Sequence, residues 1–243
     1  MISWAVTDKG NVRKQNQDAF YTYISPDKEL SILLVCDGMG GARAGNVASE
    51  LAISVFKTEA RRMLSTLDGD DLLAEVQRCI EVSNTAVYEL SKNDPDCHGM
   101  GTTLVTAVIK GDVLYVANVG DSRAYLISDG QIRQITRDHS LVEDMVERGD
   151  ITREESRVHP NKNLITRAVG TVDTVECDTF HENIKSGDFV LLCSDGLTNL
   201  VPDEELMNVV TGADSVKNSC NALLNLALSR GAPDNVTVVL IEK

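Results

Sequence analysis

Five aspartates in this chain stand where apolar runs stop or start. Ser31-Ile-Leu-Leu-Val-Cys36 leads into Asp37-Gly38, and Val113-Leu-Tyr-Val-Ala-Asn-Val119 leads into Gly120-Asp121. Phe189-Val-Leu-Leu-Cys193 leads into Ser194-Asp195-Gly196, Asp234-Asn235 precedes the last apolar run, and Asp18 sits at the mouth of another. If those runs are strands, their ends lie on a sheet rim, where several carboxylates can converge. Close carboxylates repel and need protons or cations to be tolerated. An all-oxygen set suits hard cations such as magnesium, manganese or calcium. The adjoining glycines let backbone approach an ion and offer carbonyl ligands. Asp-Gly and Gly-Asp are also common turn dipeptides, so any one of them reads most simply as a turn. Three of them together with Asp234-Asn235, each against a buried strand, shift the balance toward a metal site.

The elements that would carry these residues follow from periodicity. Ser3–Asp8, Ala19–Ile24 and Leu30–Cys36 read as short strands bounded by turn residues. The period then changes. Ala44, Val47, Ala48, Leu51, Ala52, Val55, Phe56, Ala60 and Met63 follow the i, i+3, i+4 spacing of an amphipathic helix. A second helix is expected after caps at Asp70 and Asp71, with its stripe at Leu72, Leu73, Val76, Ile80, Val87 and Leu90. Strands return at Thr102–Ile109, Val113–Val119, Arg123–Ile127 and Gln131–Ile135, with hairpin turns at Lys110-Gly111-Asp112 and Ser128-Asp129-Gly130. A short helix is expected at Leu141–Arg148, then an irregular polar stretch, a buried strand at Phe189–Cys193, helices at Leu206–Val210 and Val216–Leu228, and a last strand at Val236–Ile241. Strands and helices do not alternate as βαβ units, which predicts an α+β fold with mostly antiparallel sheet. No repeat or linker composition divides the 243 residues, so one continuous domain over 1–243 is expected.

The bulk chemistry excludes several classes. A net charge of −14 disfavours binding to nucleic acid, which depends on cationic contacts to phosphate. No apolar run approaches the ~18 residues of a membrane helix. The Met1-Ile2-Ser3-Trp4 start has neither the basic nor the apolar part of a signal peptide. A cytoplasmic protein with six reduced cysteines is therefore expected, Cys36 and Cys193 being small core residues. No Cys-x-x-Cys pair marks a zinc or redox site. The Asp37-Gly-Met-Gly-Gly-Ala-Arg43 segment has arginine where a dinucleotide loop needs glycine or alanine. Cys36 and Arg43 are one residue too far apart for a cysteine phosphatase loop. His98, His139, His159 and His181 lie on polar stretches without ligand spacing and are expected to be solvated.

With these segments in hand, the chain resembles bacterial members of the metal-dependent protein phosphatase family (PPM, type 2C). The matching segments are Thr7-Asp-x-Gly10-x-x-Arg13-x-x-Asn16-x-Asp18, Cys36-Asp-Gly-Met-Gly-Gly41, Gly101-Thr-Thr103, Asn118-Val-Gly-Asp-Ser-Arg123, Ile165-Thr-Arg-Ala-Val-Gly170, Ser194-Asp-Gly-Leu197 and Pro233-Asp-Asn-Val-Thr237. The resemblance implies a four-layer α-β-β-α sandwich, two packed antiparallel sheets flanked by helices. It implies hydrolysis of phosphoserine and phosphothreonine by water activated between two Mn2+ or Mg2+ ions, with a weaker third ion. By the same resemblance Asp37 would bridge two ions, the Gly38 carbonyl would ligate one, and Asp195 and Asp234 the other. Asp18 would hold their waters, Asp121 with Asp195 the third ion, and Arg13 the substrate phosphate; Asn235 would support the ligands. Residues 141–169 would be a flap beside the site. The implied partners are phosphorylated proteins and a cognate serine/threonine kinase, with no nucleic acid or membrane, and the chain would be a monomer. Gln17 stands where the family usually has glutamate, and Met39 where animal members have histidine. Two other readings remain: a catalytically dead phosphatase-like binding module, which would have lost metal aspartates, and a metal-dependent hydrolase of another fold acting on small phosphoesters.

Overall fold

The computed structural model describes residues 1–41, 44–63 and 65–243, and the side chains of all of these except Arg62 and Met63. Arg43 and the side chain of Met63, both used in the sequence reading, therefore lie outside the described residues.

Eleven strands among the described residues form two sheets, every pairing antiparallel. The first sheet runs β1 (Ile2–Asp8), β11 (Val236–Glu242), β10 (Phe189–Cys193), β7 (Arg123–Ser128), β8 (Gln131–Gln134). The second runs β2 (Asp18–Ile24), β3 (Leu30–Met39), β5 (Leu104–Lys110), β6 (Val113–Val119), β9 (Asp178–Asn183), with the two-residue β4 (Gly101–Thr102) beside the end of β3.

Strand alternation builds the layers, because successive side chains point to opposite faces. In β3, Leu33 and Val35 face the other sheet, where they pack with Val105, Val116, Leu192 and Val239. Ile32, Leu34 and Cys36 point the other way, onto α1 (Ala44–Met63) and α2 (Gly69–Asn93). The first sheet does the same with Leu191, Cys193, Val238 and Leu240, which are covered by α5 (Asp195–Thr198), α6 (Asp203–Gly212) and α7 (Val216–Ser229). The result is the expected α-β-β-α order. Among the described residues no helix is long and apolar enough to cross a membrane.

Several boundaries differ from the sequence reading, each for a local reason. Asp70 and Asp71 lie inside the first turn of α2, and Asp68 is its N-cap. Both remain favourable there, since acidic groups stabilise a helix N-terminus. The expected strand over 102–109 is broken at Thr103, which turns its N–H and hydroxyl to the backbone of Asp37. The stretch after α3 (Leu141–Glu147) is not wholly irregular: α4 (Arg153–Val158) starts from a capping box between Thr152 and Glu155. It has no apolar stripe for periodicity to detect. Strand β9 was missed because Asp178-Thr-Phe-His-Glu-Asn183 is a polar edge strand.

Asn84, on the buried face of α2, ties the fold to the loop after residue 169. Its Oδ1 accepts from Gly170 N–H at 2.7 Å, and its Nδ2 donates to the carbonyls of Val172 and Asp173 at 3.0 and 3.1 Å. Replacing Asn84 by Ala leaves the buried Gly170 N–H unpaired and is expected to cost about 1–3 kcal/mol, read as a lower urea midpoint with an unchanged slope.

Candidate active site

The two sheets bring the aspartates to one seam. Asp18 opens β2 and lies directly across from Asp37 in the β2–β3 pairing. Asp37 is held on both sides of its backbone. Its N–H donates to Thr103 Oγ1 at 2.9 Å, and its carbonyl accepts from Thr103 N–H and Thr102 Oγ1 at 2.9 and 3.0 Å. Asp195 follows β10 and Asp234 precedes β11, two neighbouring strands of the other sheet. Asp195 opens the short helix α5, an element the sequence reading took for a turn, and accepts from Asn199 Nδ2 at 2.9 Å. Asp121 follows β6, two residues before Arg123.

Two glycines let the acid-bearing turns approach other backbone. A Cβ on Gly38 would lie 2.0 Å from the Gly45 carbonyl oxygen, and one on Gly196 would lie 1.9 Å from that of Asn235. No real Cβ tolerates such contacts, so only glycine permits either approach.

Burial and mutual charge perturb the carboxylates strongly. Burial pushes the Asp18 carboxyl up to about 7, against the pull of hydrogen bonds from Thr237 and Ser194 and with the push of Asp195 and Asp234. Burial, then Asp234, raises Asp195 to about 6. Asp37 is pushed well above the carboxylate range by burial and then by the charges of Asp18, Asp195, Asp121 and Asp234. Asp121 is raised by burial and by Asp195. Asp195 acts on the other three, and Asp234 acts on Asp18, Asp37 and Asp195.

A divalent cation fits this arrangement. The donors are all oxygen, the charges repel, and Asp18 Oδ1 is buried without a hydrogen-bond partner. Among the described residues no three His, Cys, Asp or Glu side chains already close around a point. The cluster is therefore an open rim of carboxylates and not a finished cage.

The remaining expected site residues fall as follows. Arg13 is brought to the cluster, where its Nη2 donates to Asp234 Oδ2 at 2.7 Å, and its guanidinium is half exposed. Asn235 is buried; its Oδ1 accepts from Gln17 N–H, and its Nδ2 donates to the carbonyls of Lys9 and Gln15. Gln17 Nε2 donates to the Gly41 carbonyl at 3.3 Å, a bond that a glutamate could not make.

His139 is a correction. It is 3% exposed, not solvated. Its Nδ1 accepts from Gly120 N–H at 3.1 Å, and its Nε2 faces Asp178 Oδ2 at 3.2 Å, so it braces the turn that carries Asp121. Burial lowers its pKa, opposed by the hydrogen bond to Asp178. Arg123 was also passed over. It forms a forked pair with the nearly buried Asp138, at 2.7 to 3.0 Å. Its charge lowers the pKa of both Asp121 and Asp195. Arg123 closes the matching segment Asn118–Arg123 but was given no role there, and His139 had only its position next to Asp138 to mark it.

The raised carboxyls set a pH dependence. An unfolded aspartate titrates near ~3.9. Asp195 at about 6 and Asp18 at about 7 therefore hold protons in the fold that the unfolded chain has released. Metal-free stability should consequently fall as pH rises from 5 through 7. In chelator at pH 8, Asp37→Asn should melt higher than the parent, by roughly 2–4 °C per kcal/mol of repulsion relieved, and the gap should shrink at pH 5. Differential scanning fluorimetry across that range checks both signs.

Known proteins are similar to this chain over nearly its whole length. The family model described as protein phosphatase 2C matches residues 4–236. The chain is 38% identical over 237 residues to the serine/threonine phosphatase stp of Listeria innocua, covering 98% of this chain and 94% of that protein. It is 39% identical over 242 residues to the serine/threonine protein phosphatase PstP of Mycobacterium tuberculosis, covering 98% of this chain but 44% of that longer protein. Among solved structures, the S. agalactiae serine/threonine phosphatase superposes with a TM-score of 0.92 at 35% identity, covering 98% of both chains. The catalytic domain of PstP in complex with two manganese ions superposes at 0.86 and 37% identity, covering 99% of this chain and 97% of that one. A family model over nearly the whole length, relatives well above 30% identity and superpositions of this closeness establish that the chain belongs to the protein phosphatase 2C family.

Proposed function

We propose that this chain is a metal-dependent protein phosphatase that hydrolyses phosphoserine and phosphothreonine, opposing a serine/threonine kinase. The observation that carries the reading is the single seam where five aspartates from two sheets meet, four of them with raised pKa values, and where Asp18 Oδ1 is buried and unpaired. The substrate class is supported by the names of the relatives, and manganese by the two-ion PstP complex. Six free cysteines suit a cytoplasmic setting.

Asp37, the Gly38 carbonyl, Asp195 and Asp234 would hold two Mn2+ or Mg2+ ions, with Asp18 at their waters and Asp121 with Asp195 at a weaker third. Divalent cations bound there would lower the pKa of an attacking water and neutralise phosphoryl oxygens. The chain's own residues do the rest. Arg13 uses one nitrogen on Asp234 and keeps other N–H donors for the phosphate, whose geometry a planar guanidinium matches. Asp18 is buried while Asp37, Asp121, Asp195 and Asp234 are partly exposed, so the cluster is open to water and substrate on one side.

Residues 141–169 would act as a flap over the substrate. Helices α3 and α4 line a cleft of about 510 Å3 that reaches from Arg153, Arg157 and Lys162 to Asp121 and Asp195. Charge pairing within the cleft refines which side chains are free. Arg153 is spent on Glu143, and Arg137 on Asp144 and Glu147. Among the described residues Arg157 and Lys162 have no ion-pair partner, so they are the cations available to residues flanking a phosphoserine.

Two outcomes check this reading. Hydrolysis of phosphoserine and phosphothreonine peptides should stop in chelator and return with Mn2+. Asp195→Asn should lower kcat/KM by roughly two orders of magnitude or more at saturating metal. Full activity in chelator, or near-parental rates in the variant, would remove the metal reading. Separately, Arg157→Ala should lower kcat/KM for a phosphoprotein several-fold more than for p-nitrophenyl phosphate, which is too small to meet the flap. Equal losses would point instead to a disturbed cluster.

A further inference from the structure

Asp18 is held by hydroxyl groups whose hydrogens can be counted. A hydroxyl has one hydrogen to donate. Thr237 Oγ1 lies 2.7 Å from Asp18 Oδ2 and 2.7 Å from Thr7 Oγ1. It donates to the carboxyl, so toward Thr7 it can only accept, and Thr7 must be the donor. Thr7 Oγ1 in turn accepts from Asn16 Nδ2 at 2.8 Å. The chain thus runs one way, from Asn16 through Thr7 and Thr237 to Asp18. A second branch meets it at the same oxygen. Ser194 Oγ donates to Asp18 Oδ2 at 2.7 Å and accepts from Thr237 N–H at 2.9 Å. Both donors converge on Oδ2, which leaves Oδ1, buried and without a partner, as the oxygen turned to other use.

The two ends of this set belong to different sheets. Asp18 begins β2 and faces Asp37 across the β2–β3 pairing. Thr7 lies in β1, Thr237 in β11, and Ser194 just after β10, all in or beside the first sheet. Ser194 adjoins Asp195, and Thr237 follows Asp234 by three residues. Among the described residues no backbone ladder joins the sheets. They meet through apolar side chains such as Leu33, Val35, Leu192 and Val239, and such packing is non-directional. The hydroxyls are directional bonds across that seam, and they lie between the Asp18–Asp37 half of the cluster and the Asp195–Asp234 half.

We infer that the converging hydroxyls of Thr237 and Ser194, backed by Thr7, are positioning groups that set the spacing between the two halves of the carboxylate cluster, and so its affinity for divalent cations. The inference rests on the proposed metal reading. Thr7 and Thr237 touch no other carboxylate in this network, so their effect on an ion passes through Asp18.

The test is Mn2+ binding to the full chain, measured by titration calorimetry. Thr237→Val deletes the hydroxyl at nearly constant volume and should weaken binding about 10- to 100-fold. Thr237→Ser keeps the hydroxyl and should stay within about threefold of the parent, which a loss of packing alone would not allow. Thr7→Val removes only the rear of the chain and should fall between them. Parental affinity in Thr237→Val, or a Thr237→Ser as weak as the valine variant, overturns the inference while leaving the metal reading intact. A parent that binds no Mn2+ overturns the metal reading and this inference together. If circular dichroism shows Thr237→Val unfolded, Ser194→Ala and Thr7→Val carry the comparison, and parental affinity in both overturns the inference.

Discussion

The repulsion among five carboxylates at one seam is the constraint on which the rest of this molecule turns. Asp18 and Asp37 come from one sheet, Asp121 follows β6 of that same sheet, and Asp195 and Asp234 flank strands of the other. Left to themselves such groups would separate or take up protons, and burial lifts the pKa values of Asp18, Asp37, Asp121 and Asp195 accordingly. They stay because each is attached to a strand or turn that cannot move. The strand bodies behind them, Leu33 to Val35, Leu191 to Cys193 and Val238 to Leu240, are fully buried. A packed interior of this density yields little.

Around that rim the polar groups have one shared task, which is to hold backbone or carboxylate against the repulsion. Thr102 and Thr103 pin the peptide of Asp37 at the cost of a break between β4 and β5. Asn235 ties the 9–17 segment, and with it Arg13, to the start of β11. The forked Arg123–Asp138 pair sets opposite charges beside Asp121 and Asp195, Arg123 lowering and Asp138 raising their pKa values. His139 braces Gly120 from the opposite side, itself oriented by Asp178. Gly38 and Gly196 complete the set by what they lack, since any side chain there would drive apart the backbones that carry the acids.

The segment beyond α3 follows a different logic. Its α4 is tied back to α3 by the pair of Arg153 with the buried Glu143, while Arg137, just before α3, pairs with Asp144 and Glu147 on α3 itself. The Arg137 pairs are partly exposed, and pairs of that kind contribute little to stability individually. In a chain of net charge −14, Arg157 and Lys162 give the cleft a local positive edge beside an acidic floor.

The sequence by itself determined the α+β class and named the acids. Short apolar or alternating runs read as strands, and the class followed because they do not alternate with helices as βαβ units. The four-layer order came from the family resemblance. The aspartates were legible because each interrupts an apolar run. The roles assigned to Arg13 and Gly38 came from the family resemblance, as nothing in their spacing distinguishes them. What the tertiary structure decided is everything that depends on residues far apart in sequence. It placed Thr7 and Thr237, 230 positions apart, within 2.7 Å of each other. It turned His139 from a residue on a polar stretch into a buried brace. It spent Arg153 on Glu143 while leaving Arg157 free. It also built β9 and α4 from polar residues that carry no hydrophobic period. Hydrophobic burial is encoded locally and can be read along the chain. The direction of a hydrogen bond or the partner of a charge is fixed only when the sheets close on each other.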